Sequence, residues 1–209
     1  MPDPHMLWLF MAAALALNLT PGPDMLYIAA RSTGEGRNAG IVSTLGISTG
    51  TLVHTAAVAL GVSALLAAVP LAYDAIRIAG AAYLVVLGLR MLLLSRRPGV
   101  QAALAPSSLR AIFLQGVLTN VLNPKVALFF LAFLPQFIDA HAGSPALQML
   151  LLGVMFNIQG TLVNLVVALC ASRATAWLRS NGRRVLILQR ATGGVFVALG
   201  ARLALSGNR

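Results

Sequence analysis

The sequence predicts an all-α, polytopic membrane protein of six transmembrane helices, arranged as two inverted three-helix repeats, with helices one and four broken at proline motifs. Three observations predict it. Of 209 residues, 58% are hydrophobic and 10% charged, where soluble domains carry roughly a quarter charged. Apolar runs of about the 20 residues needed to cross a bilayer recur along the whole chain. The blocks in one half of the chain also match those in the other.

The runs cover 6–30, 39–68, 71–94, 111–138, 145–171 and 185–205. The first has no Lys or Arg before it and continues through Pro21-Gly22-Pro23 into more apolar sequence, so it is expected to be a retained helix and not a signal peptide. Basic residues fall in alternate gaps: Arg31 and Arg37, then Arg96, Arg97 and Arg110, then Arg173, Arg179, Arg183 and Arg184. The other side carries little beyond Arg77 and Arg209. The positive-inside rule therefore puts both termini outside the cytoplasm. The net charge of +10 reports topology, and no nucleic-acid partner is expected. The stretch 96–110, with Pro98, Gly99 and Pro106, reads as a cytoplasmic linker. It divides a single transmembrane domain, 1–209, into repeats 1–95 and 111–209.

The repeats share particular blocks. Gly50-Thr51-Leu52-Val53-His54 in span two matches Gly160-Thr161-Leu162-Val163-Asn164 in span five. Arg77, Gly80, Tyr83 and Leu87-Gly88-x-Arg90 in span three match Arg190, Gly193, Phe196 and Leu199-Gly200-x-Arg202 in span six. Thr20-Pro21 and Asn123-Pro124 match in spans one and four. An odd number of crossings per half inserts the halves upside down relative to each other, a plan common among secondary transporters.

Paired spans interrupted by Pro or Gly point to a binding site, because unwound backbone is tolerated in lipid only where it lines a cavity or is buried in protein. In Asn18-Leu19-Thr20-Pro21-Gly22-Pro23-Asp24 two prolines each remove an amide donor, and Gly22 allows positive φ. A second helix is expected to restart with Gly22 as cap, Pro23 first and Asp24 in the first turn. In Asn120-Val121-Leu122-Asn123-Pro124-Lys125, Asn123 caps and Pro124 opens the second half. Two half-helix N-termini are thus expected to meet near the midplane.

Lys125 opposes the dipole of the helix it begins, and a charge at that depth costs at least about 2.5–3.5 kcal/mol. Asp24, the acidic residue well inside a span, is the expected partner. The pair either exchanges for the ammonium and carboxylate of a zwitterionic amino acid or permanently ties the halves together. His54 relays protons or makes a packing hydrogen bond. Asn18, Asn120, Asn157, Gln159 and Asn164 line a cavity or join neighbouring helices. Gly46-x-x-x-Gly50 permits close helix contact within the bundle or between protomers. Arg77, Arg90, Arg190 and Arg202 snorkel toward the interfaces, and Trp8 and Tyr73 fit the aromatic belt. The single Cys170 makes no intrachain disulfide, and neither HExxH nor a P-loop is present. Redox, zinc and ATP-driven mechanisms are disfavoured, with no cofactor and no enzymatic activity expected.

The Asn18–Asp24 motif, the glycine-spaced stretch 36–50, and Gly116-x-x-x-Asn120-x-x-Asn123-Pro124-Lys125-x-x-Leu128-Phe129-Phe130-x-x-Phe133-x-Pro135-Gln136-Phe137 resemble those of the LysE/RhtB amino-acid exporters. The resemblance covers nearly the whole chain. It implies a bacterial inner-membrane exporter of amino acids or derivatives, driven by proton exchange and working as a homo-oligomer, with Pro21, Pro23, Asp24, Asn123, Pro124 and Lys125 in its motifs. Competing functions are export of metal cations or other small solutes, which needs clustered carboxylates or soft ligands, and a non-transporting scaffold, which has no need of broken helices with buried charges. An intramembrane enzyme would need a nucleophile and base, and His54 with Ser48 or Thr51 has no such spacing.

Overall fold

A computed structural model describes residues 4–62, 72–94, 104–139, 143–171, 173 and 182–205. Among these, all regular structure is helical. The elements are α1 (Pro4–Leu19), α2 (Pro23–Glu35), α3 (Arg37–Ala57, prolonged by a π turn Val58–Val62), α4 (Ala72–Leu93) and α5 (Leu109–Val121). Then follow α6 (Pro124–Leu128, continued by a π turn Phe129–Phe133 and a 3-10 turn Leu134–Phe137), α7 (Pro145–Leu169) and α8 (Gly182–Leu205). The expected linker is described from Leu104 onward, and Arg96, Arg97, Arg179 and Arg209 lie outside the described residues, as do the side chains of Tyr73, Arg77, Arg184 and Arg202.

Local chemistry sets the element boundaries. The Ser108 hydroxyl accepts the Ala111 amide at 3.3 Å to start α5, and Ser144 does the same for Leu147 at 3.5 Å ahead of Pro145 at the start of α7. Between α2 and α3 the chain turns on Gly36 at φ 90°, where a side chain would be strained. The two proline motifs bend their spans by 49° between α1 and α2 and by 45° between α5 and α6.

Among the described residues, α3 with its π turn and α7 are each long and apolar enough to cross a bilayer, and there are four such candidates when each bent pair is counted as one span. α4 and α8 contain shorter apolar stretches, Gly80–Leu93 and Val185–Ala201. The distribution of polarity is that of a protein in lipid. Trp8, Leu60, Leu93, Leu122 and Leu205 stand on the exterior, while Arg31, Ser43, Thr44, Thr51, Asn120 and Gln148 are buried. The apolar core is an aromatic stack. Phe129 and Phe133 have ring centroids 4.7 Å apart, Phe133 and Phe137 4.7 Å, Phe10 and Phe137 5.3 Å, and Phe156 lies 5.1 Å from both Phe129 and Phe130.

Glycines let backbones touch elsewhere. A Cβ on Gly46 would collide with the Phe113 carbonyl, and one on Gly50 would come within 2.8 Å of Asn120. The Gly46-x-x-x-Gly50 face is therefore filled by α5 of the same chain. α4 and α8 meet in the same way, with a Cβ on Gly88 falling 2.5 Å from the Gly193 oxygen, and one on Gly200 2.8 Å from that of Ala81.

Two adjacent glycines of α8 give a direct test of this packing. A methyl group on Gly193 would lie 2.7 Å from the Gly88 carbonyl oxygen, whereas one on Gly194 meets nothing within 4 Å. Gly193→Ala is expected to cost about 1–3 kcal/mol and lower the melting temperature in detergent by several degrees. Gly194→Ala should leave it unchanged or raise it, through better helix propensity.

Candidate functional site

The first break is closed by a cation. Pro21 and Pro23 have no N–H, so the last carbonyls of α1 lack their usual helical donors. The ammonium of Lys125, from the first turn of α6, donates to the Leu17 carbonyl at 3.2 Å and the Thr20 carbonyl at 3.0 Å. The negative end of the α1 dipole favours a cation there. Gly22 caps α2 at φ −147°, extended and not in the left-handed region the sequence allowed it. Its lack of a side chain serves Lys125 instead, because a Cβ would lie 3.1 Å from the ammonium nitrogen. Thr20 ties the break to α8, its hydroxyl 2.8 Å from that of Thr192.

The second break presents an amide to the carboxylate. Asn123 caps α6, its side-chain oxygen accepting the Lys125 amide at 3.0 Å, and Pro124 follows in the first position. One turn earlier, Asn120 donates to one oxygen of Asp24 at 2.8 Å. Asn120 is also held from α3: Thr51 donates to its side-chain oxygen at 3.3 Å, and His54, in the tautomer protonated at Nε2, donates to its carbonyl at 3.1 Å. The direct Asp24–Lys125 ion pair expected from the sequence is not formed. Each charge is answered by the other span's preceding half-helix, Lys125 by α1 carbonyls and Asp24 by Asn120 of α5. The two half-helix N-termini nevertheless lie close together, since Lys125 in the first turn of α6 packs against Gly22, the cap of α2. The other oxygen of Asp24 and the side-chain nitrogen of Asn123 are buried without a hydrogen-bond partner.

Beside Asp24 lies a cavity of about 20 Å³ lined by residues of both halves of the chain, enough for about one water molecule. Of the residues singled out in the sequence, Asn18, Asp24, Asn120, Asn157 and Asn164 line it. Thr20, Pro21, Gly22, Pro23, Asn123, Pro124 and Lys125 build the breaks around it, and His54 holds Asn120 from behind. Gln159 joins helices, accepting from Asn18 at 3.5 Å and donating to the Met11 carbonyl at 3.3 Å. The sequence reading missed Ser48, Thr51 and Thr161 as lining residues, together with the apolar wall of Ile47, Val126 and Phe156. The repeated Gly-Thr pairs at 50–51 and 160–161 were the signal for the two threonines.

The cavity lies between two different packed clusters. Toward the N-terminal end of α1 stands the aromatic stack. Toward the end of α2, Arg31 is 3% exposed, paired with Glu35, and donates to the Ala105 carbonyl at 2.9 Å and to Gln115 at 2.6 Å. Its guanidinium lies 5.7 Å from the ring centre of Tyr27, whose hydroxyl donates to the Ile112 carbonyl at 2.8 Å. Glu35 also accepts the Ser107 amide at 2.9 Å. That amide first, and Arg31 second, hold its carboxyl below the usual glutamate range. Arg31, read from sequence as a topology marker, thus fastens α2 to α5 and to the segment preceding it.

A multi-pass membrane protein whose two broken spans enclose a polar cavity belongs to the class of carriers. The chain belongs to the LysE type translocator family, which it matches over residues 15–207, and it is accordingly a transporter and not an enzyme. It is similar to an uncharacterized membrane protein of Pseudomonas aeruginosa (32% identity over 94% of each chain). It is also similar to the homoserine/homoserine lactone efflux protein of Salmonella typhimurium (29%, over 93% of this chain and 94% of that one) and to a leucine efflux protein of the same organism (26%, over 94% and 93%). No solved structure matches it.

The Glu35 contacts predict a pH response. A carboxyl whose pKa is depressed by folding contributes stability that is complete above its unfolded value, about 4.3, and lost as pH falls through the lower folded value. Protection of the amides at 104–108, taken relative to their intrinsic exchange rate at each pH, should therefore persist from neutral pH down to about 4 and fall below it. Glu35→Ala should remove that protection already at neutral pH. Unchanged exchange in that variant would show that Glu35 does not fasten the segment.

Proposed function

We propose that this chain is a secondary transporter that exports amino acids or close derivatives across the bacterial inner membrane in exchange for protons. It works through six spans in two inverted repeats, with both termini outside the cytoplasm. The observation that carries the reading is Asp24: a carboxylate lining a cavity between two broken spans, with one oxygen held by Asn120 and the other buried and unpaired. A buried acceptor without a donor is costly, and a substrate ammonium supplies the donor. The Asn18 amide, which carries a second N–H besides the one given to Gln159, is available to the substrate carboxylate.

Repeat-related contacts support the inverted plan. Gly50 packs on Asn120 and its counterpart Gly160 on Asn18; Gly88 packs on Gly193, and its counterpart Gly200 packs on Ala81, the residue after Gly80. The efflux proteins among the relatives support amino acids as cargo. Metal export has less support, since among the described residues no group of three His, Cys, Asp or Glu is assembled. Protons couple by competition: on the cytoplasmic side substrate ammonium replaces the proton on Asp24, and on the outer side a proton replaces the ammonium.

Asp24→Asn removes the charge while keeping the acceptor for Asn120. It is expected to reduce efflux from dipeptide-loaded cells by more than about tenfold, the equivalent of losing one charge-assisted hydrogen bond, with little change in melting temperature. Lys125→Met, which strips the donor from the Leu17 and Thr20 carbonyls, should lower the melting temperature as well. Near-wild-type efflux from a well-folded Asp24→Asn variant would overturn the assignment.

A further inference from the structure

We propose that the cargo is a zwitterion with an uncharged side chain, and that Asn157 is the residue that keeps cationic amino acids out. This rests on the exporter function proposed above and concerns the charge of its substrate. Among the lining residues Asp24 alone is charged; the others are amides, hydroxyls, a glycine and the apolar wall of Ile47, Val126 and Phe156. Lys125 does not line the cavity, and its ammonium is already bound to two carbonyls. The single carboxylate answers one ammonium. A lysine or arginine would bring a second cation into a space with no second anion, deep in a span where uncompensated charge is strongly disfavoured.

Among the lining amides, Asn157 is the one whose side chain meets its neighbours as an acceptor alone. It lines the cavity from α7, and its side-chain oxygen accepts from Ser48 of α3 at 3.1 Å and from Thr161 at 3.5 Å. Both interactions use Asn157 as acceptor, so an aspartate there retains them and adds a negative charge of nearly the same shape. The amide therefore fixes the cavity's charge without being required by its hydrogen bonds. Selection against a cationic side chain works through the missing anion, and the apolar wall suits an aliphatic or hydroxylated side chain.

The test is counterflow in proteoliposomes of the full chain, using labelled amino acids across all side-chain classes. Wild type should carry at least one uncharged amino acid more than about tenfold faster than lysine or arginine, as expected for leaving one cation unpaired. Asn157→Asp should raise lysine counterflow by at least about tenfold relative to that uncharged amino acid. Should this variant fail to elute as a folded species, Asn164→Asp, on the same cavity, is the second variant. Wild-type transport of lysine as fast as of any uncharged amino acid overturns the charge assignment and leaves the exporter function standing. A folded Asn157→Asp variant that still excludes lysine overturns the role of Asn157, and a folded Asn164→Asp variant that does so overturns the charge assignment. Counterflow of no amino acid at all overturns the exporter function itself.

Discussion

The donation of the Lys125 ammonium to the carbonyls of Leu17 and Thr20 is the constraint around which the centre of this protein is organised. Within a bilayer every backbone acceptor must find a donor inside the protein. Pro21 and Pro23 remove two donors from span one in the place where its direction changes by 49°. Without the lysine the Leu17 carbonyl would keep only the Thr20 amide, at 3.1 Å, and the Thr20 carbonyl would lose its donor, at about 1–3 kcal/mol for an orphaned buried group. A lysine supplies several donors and a charge that matches the end of the α1 dipole, so one residue from span four answers both needs.

The position of Asp24 follows from that. With Lys125 bound to α1, the carboxylate has no salt-bridge partner and depends on Asn120, whose own orientation is fixed by Thr51 and His54 from α3. Gly50 is needed for α3 to come that close, since a side chain there would meet Asn120. The sequence therefore commits four residues on two helices to one hydrogen bond to Asp24, and still leaves its second oxygen unpaired. Such an arrangement is poor for stability and well suited to a group that exchanges partners.

Much of this centre was legible in the sequence, because caps and proline breaks are local. Gly22, Pro23, Asn123 and Pro124 take the positions that their backbone chemistry dictates. What was not legible was which partner answers which charge. Opposite charges at matched breaks suggest an ion pair, but the outcome depends on the direction in which each half-helix points its dipole, and that is a property of the crossing geometry. Arg31 is a similar case. Its position beyond an apolar run resembles any loop arginine, and its burial comes from residues 105 to 115, which are remote in sequence. The conformational freedom ascribed to Gly22 was likewise mistaken in kind: the residue is small because a side chain from another span reaches it.

The cavity has room for about one water, so the arrangement described is closed to an amino acid, and entry requires helices to separate. The two closures differ in chemistry. On the α1 side, six phenylalanines form a dry aromatic contact across α1, the α6 extension and α7. On the α2 side, the contact consists of Arg31, Glu35 and Gln115 with backbone groups of residues 105 and 107. Parting the aromatic contact exposes apolar surface, a cost that lipid or a cargo side chain can offset. Parting the polar contact frees groups that water solvates well. The polar closure belongs at the end where Arg37 and Arg110 also lie, and the aqueous phase there supplies the hydrogen bonds that opening breaks. The two closures thus respond to different surroundings, which allows one to open while the other holds.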